Sequence, residues 1–293
     1  MSKAARVREQ NARAKIEAQR AAARRAQTRR RILITGGSVA VVLALVAGLI
    51  VAKLIQSPAR ATAASAVADP GVARQITSIP AATFNAVGAG TATGLKALAG
   101  QPELTAGGKP ELLYMGGEYC PFCAAERWAI AAAVSRFGTL SGLHFIHSSP
   151  TDVYPSTPTL SFYKSRYTSR YLAFAPVEWY GEKTDPKTPF GHAYLQHPTP
   201  QQAALFARYA GGSVPFVDIG NRYLVPQAQY LPSALAHLSW AQVAAAMRDP
   251  GSTVGKDIDG AANMITAAIC KLTQGQPRNV CAAPGVVAAA RSL

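Results

Sequence analysis

Residues 111–138 read ELLYMGGEYCPFCAAERWAIAAAVSRFG, and this stretch decides the fold. Glu111 to Gly117 is a short apolar run bounded by Lys109-Pro110 and a glycine pair, which predicts a buried strand. The segment after Cys123 is rich in Ala, lacks internal Gly or Pro, and stops at Gly138. It predicts a helix with Pro121 in the first turn. Leu143 to Ser148 (LHFIHS) is a second strand candidate. Strand, Cys-Pro-Phe-Cys, helix, strand is a βαβ pattern with the cysteines at the head of the helix.

Upstream, the chain is partitioned by charge. Of 293 residues, 30 are Lys or Arg and 15 are Asp or Glu, a net charge of +15. Residues 1–31 carry eleven of the basic residues and only Glu9 and Glu17, so they hold +9 of that excess. Beyond residue 60 the balance is only +4, which excludes a basic nucleic-acid-binding face. From Ile32 to Ala52 there is no charge, and 21 helical residues reach across a bilayer's hydrocarbon core of about 30 Å. A basic tail before an apolar span keeps the tail in the cytoplasm and exports the chain beyond the span. The expectation is a single-pass cell-membrane protein with a cytoplasmic tail (1–31), a transmembrane helix (32–55), a flexible tether (56–73) and an extracytoplasmic domain (74–293). The tail would also meet anionic lipid. A cleaved signal peptide is the alternative, with Ala66-Val67-Ala68 resembling a cleavage site, but the apolar run is long for one. Gly36, Ala40, Ala44, Gly48 and Ala52 form a small-residue stripe on which two helices could pair as a homodimer. The plain abundance of Ala and Gly explains the stripe as well.

Downstream of residue 150 the pattern is weaker. Thr159–Tyr163 and Arg170–Ala175 are strand candidates, and KSRYTSRY (164–171) reads as a solvated edge. Pro200–Ala210 is a helix, and Phe216–Ile219 and Arg222–Val225, joined by Gly-Asn, predict a two-residue hairpin. Ser239–Arg248 and Val254–Leu272 read as helices. The Gly-rich stretch 88–94 lacks the spacing of a phosphate loop.

The chemistry centres on the CxxC. A cysteine at a helix N-terminus faces unpaired N–H groups and the positive end of the helix dipole, which favour its thiolate. Cys120 is then the exposed nucleophile and Cys123 the resolving thiol of a thiol–disulfide exchange. A structural disulfide and half a zinc site are the alternatives. Zinc lacks two further ligands at suitable spacing, so no metal site is assigned. Glu118 and Glu126 flank the motif; tuning of the Cys123 proton transfer by one of them is the alternative to the plainer reading that each is solvated or salt-bridged, with Arg127 in reach of Glu126. Cys270 and Cys281 make an even count, which favours a structural disulfide between them over a redox relay. Four cysteines in a chain of this length are too few for a disulfide scaffold.

Tyr119-Cys120-Pro121-Phe122-Cys123 after a strand, with Val214-Pro215 before a hairpin, resembles the thioredoxin-like superfamily in its DsbA-like form. With the basic tail, the single anchor and the phrase GGEYCPFCAAERW, the chain is similar to a prokaryotic group of membrane-anchored thioredoxin-like proteins of undetermined function. The resemblance implies an α/β thioredoxin-like fold and a catalytic set of Cys120, Cys123 and cis-Pro215. Tyr119, Phe122 and Val214 would line a substrate groove, while Phe216 reads as a strand core residue. Implied partners are exported protein thiols and disulfides and a membrane redox partner that recharges the pair; no cofactor is implied. Two departures matter. The 95 positions from Cys120 to Pro215 imply an insertion at about 150–210, followed later by a helical C-terminal extension. Phe122 stands where DsbA-like proteins carry His, which implies a less oxidising pair. A non-catalytic envelope scaffold or assembly factor with a structural CxxC is the competing expectation.

Overall fold

The computed structural model describes residues 70–293. The apolar run read as a strand is β3 (Lys109–Gly117), buried from Leu112 onward. Leu112 and Tyr114 point into one apolar cluster, and Leu113 and Met115 into another. A strand with period-two side chains and cover on both faces needs no polar alternation, which is why its sequence is continuously apolar.

β3 is the middle of a mixed seven-stranded sheet. Its other members are β1 (Lys96–Ala97), β2 (Thr105–Ala106), β8 (Ala173–Thr184), β9 (His192–Tyr194), β10 (Phe216–Ile219) and β11 (Tyr223–Val225). The order is β1-β11-β10-β3-β8-β9, with β2 also paired to β3. β3 runs parallel to β8 and antiparallel to β10, with Met115 opposite both Val177 and Phe216. Four further strands form two separate pairs: β4 (Gly138–Ser141) with β7 (Arg166–Ser169), and β5 (His144–His147) with β6 (Pro158–Ser161).

One face of the sheet carries the larger cluster, built around α3 (Pro121–Val134) and α6 (Thr253–Leu272), which pack on each other. The short helices α1 (Pro70–Thr77) and α2 (Ala81–Val87) join it through Val72, Ile76 and Phe84. The other face carries α4 (Pro200–Tyr209), whose Phe206 packs with Phe216 and Val177. Capping boxes at Thr199 and at Ser239 start α4 and α5 (Trp240–Ala246). At the C-terminal end, α7 (Arg278–Cys281) and α8 (Pro284–Ala289) come after α6, and the Cys270–Cys281 disulfide ties α6 to α7.

Several expectations are corrected. The strand that completes the βαβ unit with β3 and α3 is β8; among the described residues, 144–147 pair only with β6. The section expected to include an insertion, about 150–210, contributes residues 173–184 as a central strand of the sheet. Pro176 and Glu178 hide that strand in the sequence, yet Pro176 sits in register with Tyr114 and Glu178 is fully buried. The hairpin closes with Ile219 opposite Tyr223, so its loop has three residues, Gly220 to Arg222. Residues 70–73, assigned to the tether by composition, begin α1, and Val72 is buried. Gly90 packs so closely on α6 that a side chain there would strike the Lys256 carbonyl; the Gly-rich stretch serves packing. The basic tail, the apolar span 32–52 and its small-residue stripe lie outside the described residues. Among the described residues, no helix is long and apolar enough to cross a membrane.

Candidate active site

Cys120 is the N-cap of α3 in an extended conformation, and its Sγ accepts the main-chain N–H of Cys123 at 3.3 Å. Pro121 occupies the first turn, where its missing N–H costs nothing. The Cys120 N–H donates to Gly117 O at 3.1 Å, which fastens the cap to the end of β3. Both cysteines are free thiols. Across from them, the Val214–Pro215 bond is cis, and the Val214 carbonyl lies 3.7 Å from Cys120 Sγ. The last turn of the chain before β10 thus covers the sulfur. Cys120 is only 5% exposed and Cys123 not at all, so the expectation of an exposed nucleophile is corrected.

The two thiols are driven apart electrostatically. The hydrogen bond with the Cys123 side chain lowers the Cys120 thiol most, helped by the Cys123 and Phe122 main chain and the Arg127 charge, against the effect of burial. Burial pushes the Cys123 thiol well up, and its bond with Cys120 adds to this. A pair with one acidic and one basic thiol has a defined order of reaction, Cys120 first.

The aromatic residues flank Cys120 on two sides. Tyr119 stacks flat on His192 with ring centroids 3.9 Å apart, and Phe122 meets Tyr154 edge-on at 5.6 Å. His192 and Tyr154 are contributed by the section 150–210 and were not singled out by their sequence. Val214, Tyr119 and Phe122 are all half-buried, whereas Phe216 is a core residue at 2% exposure.

Beneath the thiols lies a buried ion pair that sequence reading missed. Arg127 donates through Nε and Nη2 to the two carboxylate oxygens of Glu178, at 2.9 and 2.7 Å. The available signal was the charged pair Glu126-Arg127 in α3, a helix otherwise apolar on all sides; the partner of Arg127, 51 residues away, was illegible. Glu118 is half-buried, makes no ion pair among the described residues, accepts the Ser161 hydroxyl at 2.6 Å, and burial raises its carboxyl. Glu126 makes no ion pair with Arg127. It is fully buried on another face of α3 and, among the described residues, accepts only the Gln229 N–H. The Cys270–Cys281 bridge belongs to the helical C-terminal part and not to this site. Among the described residues, no group of three or more His, Cys, Asp or Glu side chains is arranged to hold a metal ion.

A family model described as "Domain of unknown function (DUF929)" matches residues 97–271, more than half of the chain, so the chain belongs to that family. No curated protein and no solved structure matches it.

Proposed function

For a member of a family whose description names no activity, we propose thiol–disulfide exchange on exported proteins, carried out by a membrane-anchored, extracytoplasmic thioredoxin-like domain. The observation that carries this reading is the asymmetric thiol pair, with Cys120 capping α3 and the Val214 carbonyl 3.7 Å from its sulfur. A helix-capping CxxC opposite a cis X–Pro is the arrangement that the thioredoxin-like resemblance implies, and the mixed sheet with α3 behind β3 is compatible with that fold.

In the reductive direction, the Cys120 thiolate attacks one sulfur of a substrate disulfide. The substrate S–S bond breaks, a Cys120–substrate bond forms, and the other substrate sulfur leaves as thiolate. Cys123 then loses its proton and attacks Cys120 Sγ, releasing the second substrate thiolate. The substrate gains two electrons and the pair becomes a disulfide; oxidation of a substrate is the same sequence reversed. Each turnover leaves the pair in the wrong state for the next, so a membrane redox partner must reset it. Tyr119 and Phe122 offer apolar contact to a peptide flanking the target cysteine.

The near-complete burial of Cys120 favours a second reading, a scaffold whose CxxC is structural. Trapping separates the two. With Cys123→Ala, an exchange enzyme accumulates mixed disulfides through Cys120, and Cys120→Ser abolishes them; a scaffold traps nothing. The reduction potential of the full-length chain is the second readout. About −120 to −180 mV marks an oxidase or isomerase and about −270 mV a reductase, while a pair resisting reduction below about −300 mV is a structural bridge.

A further inference from the structure

Cys120, Cys123 and Arg127 are spaced by three and four residues, so they run down one face of the helical segment. Gly117 O, at the end of β3, receives both the Cys120 N–H at 3.1 Å and Arg127 Nη2 at 2.8 Å. The same guanidinium grips Glu178 of β8, and Glu178 Oε1 also accepts the Phe162 N–H at 3.0 Å. Both side chains are fully buried, and among the described residues Arg127 Nη1 has no hydrogen-bond partner. A buried ion pair returns little net stability, because desolvation offsets its attraction. Its place directly under a thiol pair therefore calls for another role.

We propose that Arg127 is the positioning residue of the thiol pair: held by Glu178 and Gly117, its guanidinium fixes the motif to the end of β3 and supplies the buried positive charge that favours the Cys120 thiolate. Glu178 acts through Arg127, by holding the guanidinium in place and offsetting part of its charge. Other titratable groups around the ion pair and the thiols include Tyr114, whose ring centroid is 5.7 Å from Arg127 Cζ, with Tyr119, Glu118 and Glu182, and, against Tyr119, His192, Tyr180 and Asp152. Burial raises the carboxyls of Glu118 and Glu182, and among the described residues Glu178 is the carboxylate in hydrogen-bond contact with Arg127. This deepens the redox reading of the site and rests on it for its purpose, although the thiolate can be measured without a substrate.

The test is the pH dependence of Cys120 alkylation in the reduced full-length chain, with adducts assigned by mass spectrometry. Arg127→Gln is expected to raise the midpoint and Glu178→Gln to lower it, each by about one unit, or tenfold in the thiolate-to-thiol ratio. Arg127→Lys, which keeps the charge, is expected to stay closer to wild type than Arg127→Gln. Both Gln variants should also melt earlier, but a role limited to packing gives no reason for opposite shifts. Shifts of the same sign, or none, overturn the proposal. If Arg127→Gln does not fold, Glu178→Gln decides alone: a downward shift supports the proposal, and an upward or absent one overturns it. Opposite shifts in a chain that traps no substrate would instead remove the exchange reading and leave the role of Arg127 standing.

Discussion

The Glu126 carboxylate accepts the main-chain N–H of Gln229 at 2.9 Å, and this is the sole hydrogen bond of a fully buried acid among the described residues. Burial pushes its carboxyl up to about 7 from an ordinary 4.5. Asp259, with neither oxygen bonded among the described residues, is pushed up to about 8 from 3.8.

With Asp218, whose carboxyl burial raises to about 6 from 3.8, these acids make stability depend on pH. A carboxyl with a raised folded-state pKa is held more tightly as the neutral acid by the native state than by the unfolded chain. Its contribution is complete below the unfolded value and is lost as pH rises through the folded one. For Glu126 the window runs from about pH 4.5 to about 7, and the loss is on the order of 3 kcal/mol. The melting temperature should therefore fall as pH rises across this range, and Glu126→Gln should flatten the slope and raise the melting temperature at neutral pH. A melting temperature that climbs with pH through the same window contradicts the assignment.

Gly116 and Tyr114 share a face of β3, and a Cβ on residue 116 would strike the Tyr114 hydroxyl oxygen. That hydroxyl is buried and has no hydrogen-bond partner among the described residues. Gly116→Ala should destabilise the chain by about 1–3 kcal/mol through overpacking. Tyr114→Phe alone should be nearly neutral, and the double variant should recover part of the loss. Denaturant unfolding of all four chains measures the coupling, and strict additivity would exclude the clash.

The Cys270–Cys281 bridge spans eleven positions and ties the end of α6 to α7. Replacing both cysteines by Ser should cost about 3 kcal/mol and lower the melting temperature. Thiol exchange at Cys120 should persist; lost exchange at unchanged stability would assign the bridge to the redox path.

Limited alkylation of the reduced chain should give one adduct, on Cys120. Its thiol is lowered by the bond with Cys123, whereas burial raises the Cys123 thiol. Peptide mapping after brief treatment near neutral pH decides this. Equal modification of both residues would show that the asymmetry is absent in solution.

Local patterns were legible wherever one stretch of chain carries the whole physical signal. The run ELLYMGG, the Pro after Cys120 and the Ala-rich segment before Gly138 specify a buried strand and a capped helix within thirty residues. Periodicity likewise delimits α4 and α6 to within one residue at each end. The charge step at residue 31 and the apolar span after it are sequence facts that lie outside the described residues. What only the tertiary structure decided are relationships between distant residues. The candidate strand 170–175 caught only the start of β8; its continuation could not be read because Glu178 looks like a solvent-facing residue until Arg127 is brought against it. Glu126 reads as solvated or salt-bridged because a charged side chain ordinarily is; it is buried against Gln229, more than a hundred residues away, whose N–H it accepts. The burial of Cys120 likewise depends on the Val214 carbonyl reaching across from another loop. Side-chain identity determines which groups repel water, but only packing decides which polar groups lose it, and the cost of that loss sets the electrostatics of this site.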